Sequence, residues 1–293
     1  MPDLDESAVQ WLTQGLLQAI ARGEPADPTA LLFLLRRYAA TDRDDVRDAA
    51  GEALAAALAN PRNGGNRAAW LTVFTEASLI SDDVRLQTAA TELRDDLRRG
   101  WPTVVTTEAA AGGVEAYLIS AHAISARDLL AAAIDELERV VGAVYRPGDG
   151  VGRFISEPDR ERGRLGDQVR AASALVTAFG VTGRLPYSML AEELMQFAKR
   201  TLWDEQGGGF FDGLGPKPFG LNCEAARVLC RLEALHRDEE YRQVAVLATA
   251  TAYASDAGHT LASQTPDRRD CGFAAAAYGI ALTEWLHLRG DLK

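Results

Sequence analysis

Cysteine is scarce in this 293-residue sequence, which contains only three. An odd number this small argues against a disulfide-stabilised scaffold, and no C-x-x-C pair is present to suggest a zinc or thiol-redox motif. The sequence therefore predicts a protein of a reducing compartment, with the cytoplasm as the expected location. We interpret Cys223, Cys230 and Cys271 as small buried residues, and we predict neither a metal site nor a cofactor.

Positively charged residues are also few: the sequence has 31 Lys and Arg residues against 42 Asp and Glu residues, which gives a net charge of −11. Nucleic acids and anionic membranes bind concentrated Lys and Arg, so neither is an expected partner. The longest apolar stretch considered, Cys271–Leu282, falls short of the roughly 18 residues of a membrane span. The acidic segment Met1–Gln10 does not resemble a signal peptide.

Strand patterns are rare as well, whereas helical periodicity runs through most of the chain. Segments such as Leu31–Leu35 and Phe273–Leu282 are apolar on nearly all sides, and such helices must be covered on all sides. They alternate with helices such as the one from Val46 to Leu58, which has one apolar stripe and one charged face. We predict twelve helices, at residues 5–22, 28–40, 43–59, 66–80, 82–99, 108–124, 126–144, 165–180, 187–202, 221–236, 239–254 and 271–288.

Short polar turns, such as Ala40–Asp42 and Val181–Gly183, join these helices into repeated hairpins. Apolar inner helices alternating with amphipathic outer helices indicate two concentric layers. The first and last helices would form a sixth hairpin and close the ring, whereas an open solenoid gives no reason for matching halves at its two ends. We predict a single all-α domain over residues 1–293, an α/α toroid of the six-hairpin glycosidase-like class.

Three long loops, Tyr145–Arg164, Trp203–Gly220 and Ser255–Asp270, lead into predicted inner helices. Long ordered loops in a compact domain are commonly functional. All three should gather at one end of the ring, where the inner helices begin and their unpaired backbone N–H groups point outward. We call this end the mouth, and we expect the functional site there.

Residues from about 150 to 255 also carry a family resemblance. Arg164–Ala172 resembles an "L-x-D-Q-A-x-x-A" helix start, Leu202–Asp212 follows it, and Pro218–Ala225 is similar to "P-S-G-N-S-x-A". This series resembles the helical region of the spermatogenesis-associated, thioredoxin-fused proteins, which belong with six-hairpin glycosidases and N-acylglucosamine 2-epimerases. The resemblance implies a toroid fold and carbohydrate chemistry. The family's thioredoxin domain is absent from this sequence, so a separate thioredoxin-like partner is an open question.

Three carboxylates are the candidate catalytic residues. Asp167 starts an inner helix at the expected mouth, where it could exchange a proton with a sugar hydroxyl or glycosidic oxygen, or only complement the helix dipole. Asp212 follows a glycine turn, in a functional role or in a structural β-turn. Glu224 starts another apolar inner helix and needs either a partner such as Arg227 or a solvent-filled cavity.

Five further residues are candidates for substrate binding: Gln168, Phe211, Asn222, His259 and Arg268. Phe211 could stack on a sugar, and Asn222 is either a ligand or only a helix cap. His259 and Arg268 fall in the third long loop. Only four histidines occur, and the histidine pair of the related epimerases cannot be mapped here.

These residues lead to one functional hypothesis and one alternative. The hypothesis is a toroid protein that binds, and in its stronger form processes, a carbohydrate or polyol in the mouth by carboxylate acid/base chemistry. The enzyme would then be a glycoside hydrolase or resemble a sugar epimerase. The alternative is a non-catalytic binding or protein-interaction scaffold derived from a toroid enzyme.

Overall fold

The computed structural model describes residues 4–59, 66–245, 252–265, 273 and 275–290. Helices dominate these residues, and two short strands, β1 (Tyr145–Arg146) and β2 (Gly150–Val151), pair antiparallel. A 3₁₀ turn covers Trp101–Thr103. The α-helices of the described part are α1 Glu6–Ala21, α2 Pro28–Thr41, α3 Asp44–Ala59, α4 Arg67–Ile80, α5 Val84–Gly100, α6 Thr107–Ala123, α7 Arg127–Val144, α8 Leu165–Thr182, α9 Leu185–Leu202, α10 Phe219–Arg237, α11 Glu239–Val244, α12 Tyr253–Gln264 and α13 Ala275–Arg289.

Local chemistry explains where several of these helices begin and end. The Asp27 carboxylate accepts the Ala30 N–H at the start of α2, where Pro28 occupies the first turn. α8 ends at Thr182 and is followed by the C-cap residue Gly183, whose φ of 67° reverses the chain at little steric cost. Together these signals place a short turn between neighbouring helices and fold them into hairpins.

The inner layer is a closed ring. α2, α4, α6, α8, α10 and α13 each pack against the next in this order, and α13 packs against α2 to complete the circle. Outside them lie α3, α5, α7, α9 and α12, while α1 packs against α13. The structure therefore confirms the predicted α/α toroid, including the sixth hairpin made from the first and last helices. None of the described helices has the length and apolar character of a membrane span.

The fifth outer helix differs from the prediction. The helix predicted at 239–254 ends at Val244 in α11, and α12 covers Tyr253–Gln264, where a loop from Ser255 was expected. The buried face of α12 includes Asp256, Thr260 and Gln264. Because these buried positions are polar, the helical period does not appear in a hydrophobicity pattern. The Lys199 ammonium pairs with Asp256 at 2.5 Å and makes this burial tolerable.

Ring closure depends on a close approach between α13 and α2. A Cβ atom added at Gly279 would lie 2.7 Å from Cε2 of Phe33, whose side chain is fully buried. We expect Gly279→Ala to lower the free energy of unfolding by about 1–3 kcal/mol, because the ring must shift to relieve the clash. Urea unfolding measures this change.

Gly112→Ala in α6 is the matched control, because a Cβ there meets nothing within 4 Å. This control should be neutral or stabilising by up to about 1 kcal/mol, since alanine is the better helix former. Equal effects of the two substitutions would contradict tight packing between α2 and α13.

Candidate functional site

Two buried amides fasten the long loops to the inner ring at the mouth. Gln168 of α8 accepts the N–H of Val151 and donates to its carbonyl, both at 2.9 Å. Asn222 of α10 does the same with Phe210, at 2.7 and 2.9 Å. Each amide satisfies both backbone groups of one loop residue, as a neighbouring strand would. These two residues, proposed from the sequence to bind substrate, therefore position the loops around the mouth.

Asp167 lies in the first turn of α8 with only 2% of its surface exposed. Its Oδ1 accepts the backbone N–H of Glu108, at the start of α6, at 3.0 Å. Burial raises the pKa of Asp167 to about 7, although this hydrogen bond acts in the opposite direction. The nearby Glu108 and Glu161 carboxylates raise the pKa further, and Arg153 lowers it. A carboxyl group with this pKa can donate or accept a proton near neutral pH.

The Glu108 carboxylate is the second acidic group beside Asp167. A Cβ added at Gly166 would lie 2.6 Å from Glu108 Oε2, so the glycine leaves room for this side chain beside Asp167. Asp167 is buried, whereas its neighbour Glu108 is exposed. In many active sites, such a difference in burial makes one carboxyl group the proton donor and keeps the other ionised. The sequence reasoning missed Glu108, although its place two residues after the Thr106 cap was a usable signal.

Asp212 joins the same group of charges. One of its oxygens accepts the Leu165 N–H at 2.9 Å, and the other pairs with Arg164 at 2.8 Å. Glu161 pairs with Arg164 at 3.5 Å and with Arg153 at 3.2 Å. Asp212 therefore binds the first N–H group of α8, the helix that carries Asp167 in its first turn.

Phe211 lies in the second long loop, and His259 lies beside this loop on α12. Phe211 is 37% exposed and has the Lys217 ammonium 5.2 Å from its ring centre. His259 is an exposed residue of α12, so the prediction that it lies in a loop is wrong. A Cβ atom added at Gly208 would lie 2.9 Å from the backbone carbonyl oxygen of His259. The loop at Gly208 therefore packs closely against α12. Arg268 and Cys271 lie outside the described residues.

Glu224 lies near the start of α10, and its carboxylate meets side chains of the same helix and of the neighbouring inner helix α8. It pairs with Arg227 at 3.2 Å and Arg170 at 3.5 Å, and it accepts a hydrogen bond from Ser173. Burial raises the pKa of Glu224, but Arg227, Arg170 and Arg231 outweigh burial and lower it to about 2. Of the two alternatives for Glu224, a partner or a solvent-filled cavity, the pairing with Arg227 is present, and Glu224 is a firmly ionised group.

The partners of Glu224 belong to a larger ring-centre network, to which all six inner helices contribute. Arg36 pairs with Glu76 at 2.8 Å and with Glu284 at 3.0 Å. Glu284 also binds Arg227 at 3.1 Å. The members of the network are Arg36, Glu76, Glu115, Arg170, Ser173, Thr177, Glu224, Arg227, Arg231 and Glu284.

This network borders a cavity of ≈ 710 Å³ at the end of the ring opposite the mouth, where the inner helices terminate. We call it the C-terminal cavity. Its volume is within the range of small-molecule sites, and its lining combines charged and aliphatic side chains. No sequence pattern predicted a cavity at this end.

The described residues contain no group of three or more His, Cys, Asp and Glu side chains arranged to hold a metal ion. Cys223 and Cys230 are buried in α10. Burial raises the pKa of the Cys230 thiol to about 12, so this sulfur is a poor nucleophile at neutral pH.

Comparisons with known proteins bear on the fold. No protein-family model matches the chain, and no curated protein matches it significantly. A family 76 α-mannanase from Bacteroides thetaiotaomicron superposes with a TM-score of 0.68 at 8% identity, over 96% of each chain. Unsaturated glucuronyl hydrolase from Bacillus sp. GL1 gives 0.67 at 11% identity, over 96% of this chain and 95% of that one.

A D-mannose isomerase gives a TM-score of 0.61 at 14% identity, over 84% of this chain and 86% of that one. Identities this low establish a shared fold and nothing finer. The narrower resemblance to the thioredoxin-fused family stays a prediction. The comparisons place this chain among proteins with the six-hairpin α/α toroid fold.

Proposed function

We propose that the protein binds a carbohydrate or polyol at the mouth of the toroid and transfers a proton to or from it through Asp167. The observation that carries the proposal is the buried Asp167 carboxyl group beside the exposed Glu108 carboxylate, at the N-terminal end of the inner helices. Two carboxyl groups in contrasting environments can divide the roles of proton donor and ionised partner. The three similar toroids are named for carbohydrate substrates, which supports this substrate class.

The other residues of the mouth have supporting roles in this proposal. Asp212 positions Asp167 by fixing the first turn of α8 through the Leu165 N–H. Gln168 and Asn222 keep the long loops in place, and the exposed part of the Phe211 ring offers an apolar surface for a sugar face. Glu224 acts from the ring centre by neutralising Arg170 and Arg227.

The test is a thermal-shift screen against mono- and oligosaccharides, sugar phosphates and nucleotide sugars, followed by a turnover assay with any class that binds. A ligand at about 100 times its dissociation constant should stabilise the protein by roughly 2.7 kcal/mol. We expect Asp167→Asn to lower turnover at least about 100-fold, because general acid–base catalysis contributes that much. If Asp167 donates the proton, turnover of the wild type should fall as the pH rises above about 7.

Asp149→Asn is the matched control, because Asp149 is an exposed aspartate of the first long loop. It should leave turnover and its pH profile unchanged. Binding without turnover, in both the wild type and Asp167→Asn, would favour the non-catalytic alternative. The absence of a shift with every compound would exclude the carbohydrate proposal.

A further inference from the structure

The C-terminal cavity has a charged floor. Arg36, Glu76, Glu115, Arg227, Arg231 and Glu284 line it, and they project from α2, α4, α6, α10 and α13. Three guanidinium groups face three carboxylates, so the formal charges of the floor cancel. An ionic ligand would have to disrupt existing ion pairs, whereas a hydroxyl group can donate to a carboxylate and accept from a guanidinium together. The floor therefore favours an uncharged, hydroxyl-rich group.

The opening of the cavity has a different chemistry. Nearer the helix ends, the lining is mostly apolar, with Ala39, Leu79, Ile80, Ile119, Gly180 and Val181, and His122 and Ala123 complete it at the end of α6. We call these residues the collar. Leu79 and Ile80 are 62% and 46% exposed, an unusual state for large aliphatic side chains of an inner helix. The collar therefore offers apolar surface to whatever occupies the opening.

Depth along the helices separates floor from collar. Glu76 precedes Leu79 and Ile80 on α4, and Glu115 precedes Ile119 on α6. Because α2, α4 and α6 all end on this side of the ring, about one helical turn, or 5.4 Å, separates the charged level from the apolar level. The cavity thus changes from polar to apolar from its floor to its opening.

We propose that the C-terminal cavity is a binding site for a small, uncharged amphiphile, with a hydroxyl-rich head on the floor and a short apolar tail in the collar. An alkyl glycoside is the simplest molecule of this class. The volume of ≈ 710 Å³ is that of a site for a small organic molecule. This site is at the opposite end of the ring from Asp167, so the inference stands whether or not Asp167 is catalytic.

The test is isothermal titration calorimetry of the full chain with three probes: n-hexyl β-D-glucopyranoside, methyl β-D-glucopyranoside and 1-hexanol. We expect hexyl glucoside to bind at least about tenfold more tightly than methyl glucoside, because burying two of its methylene groups accounts for that factor. Hexanol, which lacks the head, should also bind at least about tenfold more weakly than hexyl glucoside.

Gly180→Phe blocks the cavity with little risk to the fold. A Cβ at Gly180 meets nothing within 4 Å, and a helical side chain there points back along α8 toward the floor. We expect this variant to lower the affinity for hexyl glucoside at least about tenfold. Gly142→Phe, at an exposed glycine of the outer helix α7, should not change it.

Leu79→Asn tests the collar without filling the cavity. This substitution should reduce the preference for hexyl over methyl glucoside, whereas Leu214→Asn, at a fully exposed leucine, should preserve it. Asp167→Asn should bind hexyl glucoside as the wild type does. The proposal is overturned if hexyl glucoside does not bind, if hexanol or methyl glucoside binds equally well, if Gly180→Phe has no effect, or if Asp167→Asn abolishes binding.

Discussion

Asp167→Asn should be more stable than the wild type at pH 8 and equally stable near pH 4. The pKa of Asp167 is about 7 in the folded protein, against 3.8 for an unperturbed aspartate, so the folded state retains a proton that the unfolded state releases. Between about pH 4 and pH 7 this residue therefore lowers the free energy of unfolding as the pH rises. The full loss is about 4 kcal/mol, since each pKa unit corresponds to about 1.4 kcal/mol.

The asparagine side chain removes this dependence because it stays uncharged and its carbonyl oxygen can still accept the Glu108 N–H. Urea unfolding of both proteins at about pH 4, 5.5, 7 and 8 measures the difference. Asp149→Asn, in the exposed loop, should follow the wild type at every pH. A constant difference between Asp167→Asn and the wild type across this range would mean that Asp167 is ionised throughout, and the proton-donor role would fail with it.

The architecture was predictable because it depends on periodicity, which a sequence displays directly. Each inner helix has apolar residues on most sides, and each hairpin has a short polar turn. Closure of the ring followed from the unpaired first and last helices, and the packing of α1 and α2 on α13 confirms it. The outer helix α12 was not predicted. It buries Asp256, Thr260 and Gln264 and therefore lacks the apolar stripe by which an amphipathic helix is recognised in a sequence.

The candidate site was less predictable, because the role of a polar residue depends on which partner the fold supplies. Gln168, Asn222 and Asp212 have the residue types of sugar ligands, yet their hydrogen bonds go to Val151, Phe210 and Leu165. These contacts join segments more than ten residues apart, so no local pattern indicates them.

A usable signal was present for the ring-centre network. Glu224 was expected to need a partner because it is a charged residue on an otherwise apolar inner helix. Other inner helices carry charged residues of the same kind: Arg36 on α2, Glu76 on α4, Glu115 on α6 and Glu284 on α13. Because successive inner helices each carry such a charge, the pattern predicts a charged ring centre.

Glu224→Gln should lower the free energy of unfolding by about 3 kcal/mol at neutral pH. The Glu224 side chain is only 13% exposed, and its loss would leave Arg170 and Arg227 without one of their carboxylates. Removing one partner of a buried ion pair costs about 3–5 kcal/mol, because the remaining charge stays desolvated. The residual pairing of Arg227 with Glu284 keeps the expected value at the lower end.

The pH dependence gives this effect a signature. The pKa of Glu224 is lowered from 4.5 to about 2, so its contribution is complete above about pH 5 and is lost as the pH falls toward 2. The difference between Glu224→Gln and the wild type should therefore be largest near neutral pH and should shrink in acid. Urea unfolding at about pH 7 and pH 3 measures both values.

Two comparisons isolate the buried pair. Asp48→Asn removes a carboxylate from an exposed pair with Arg47 and should change the free energy of unfolding by less than about 0.5 kcal/mol. The double variant Glu224→Gln with Arg227→Gln should be more stable than the sum of its single changes by about 1–2 kcal/mol, since the two residues are in contact. If Glu224→Gln behaved like Asp48→Asn at both pH values, the network would contribute nothing to folding. Its charges would then be explained only by the cavity they line.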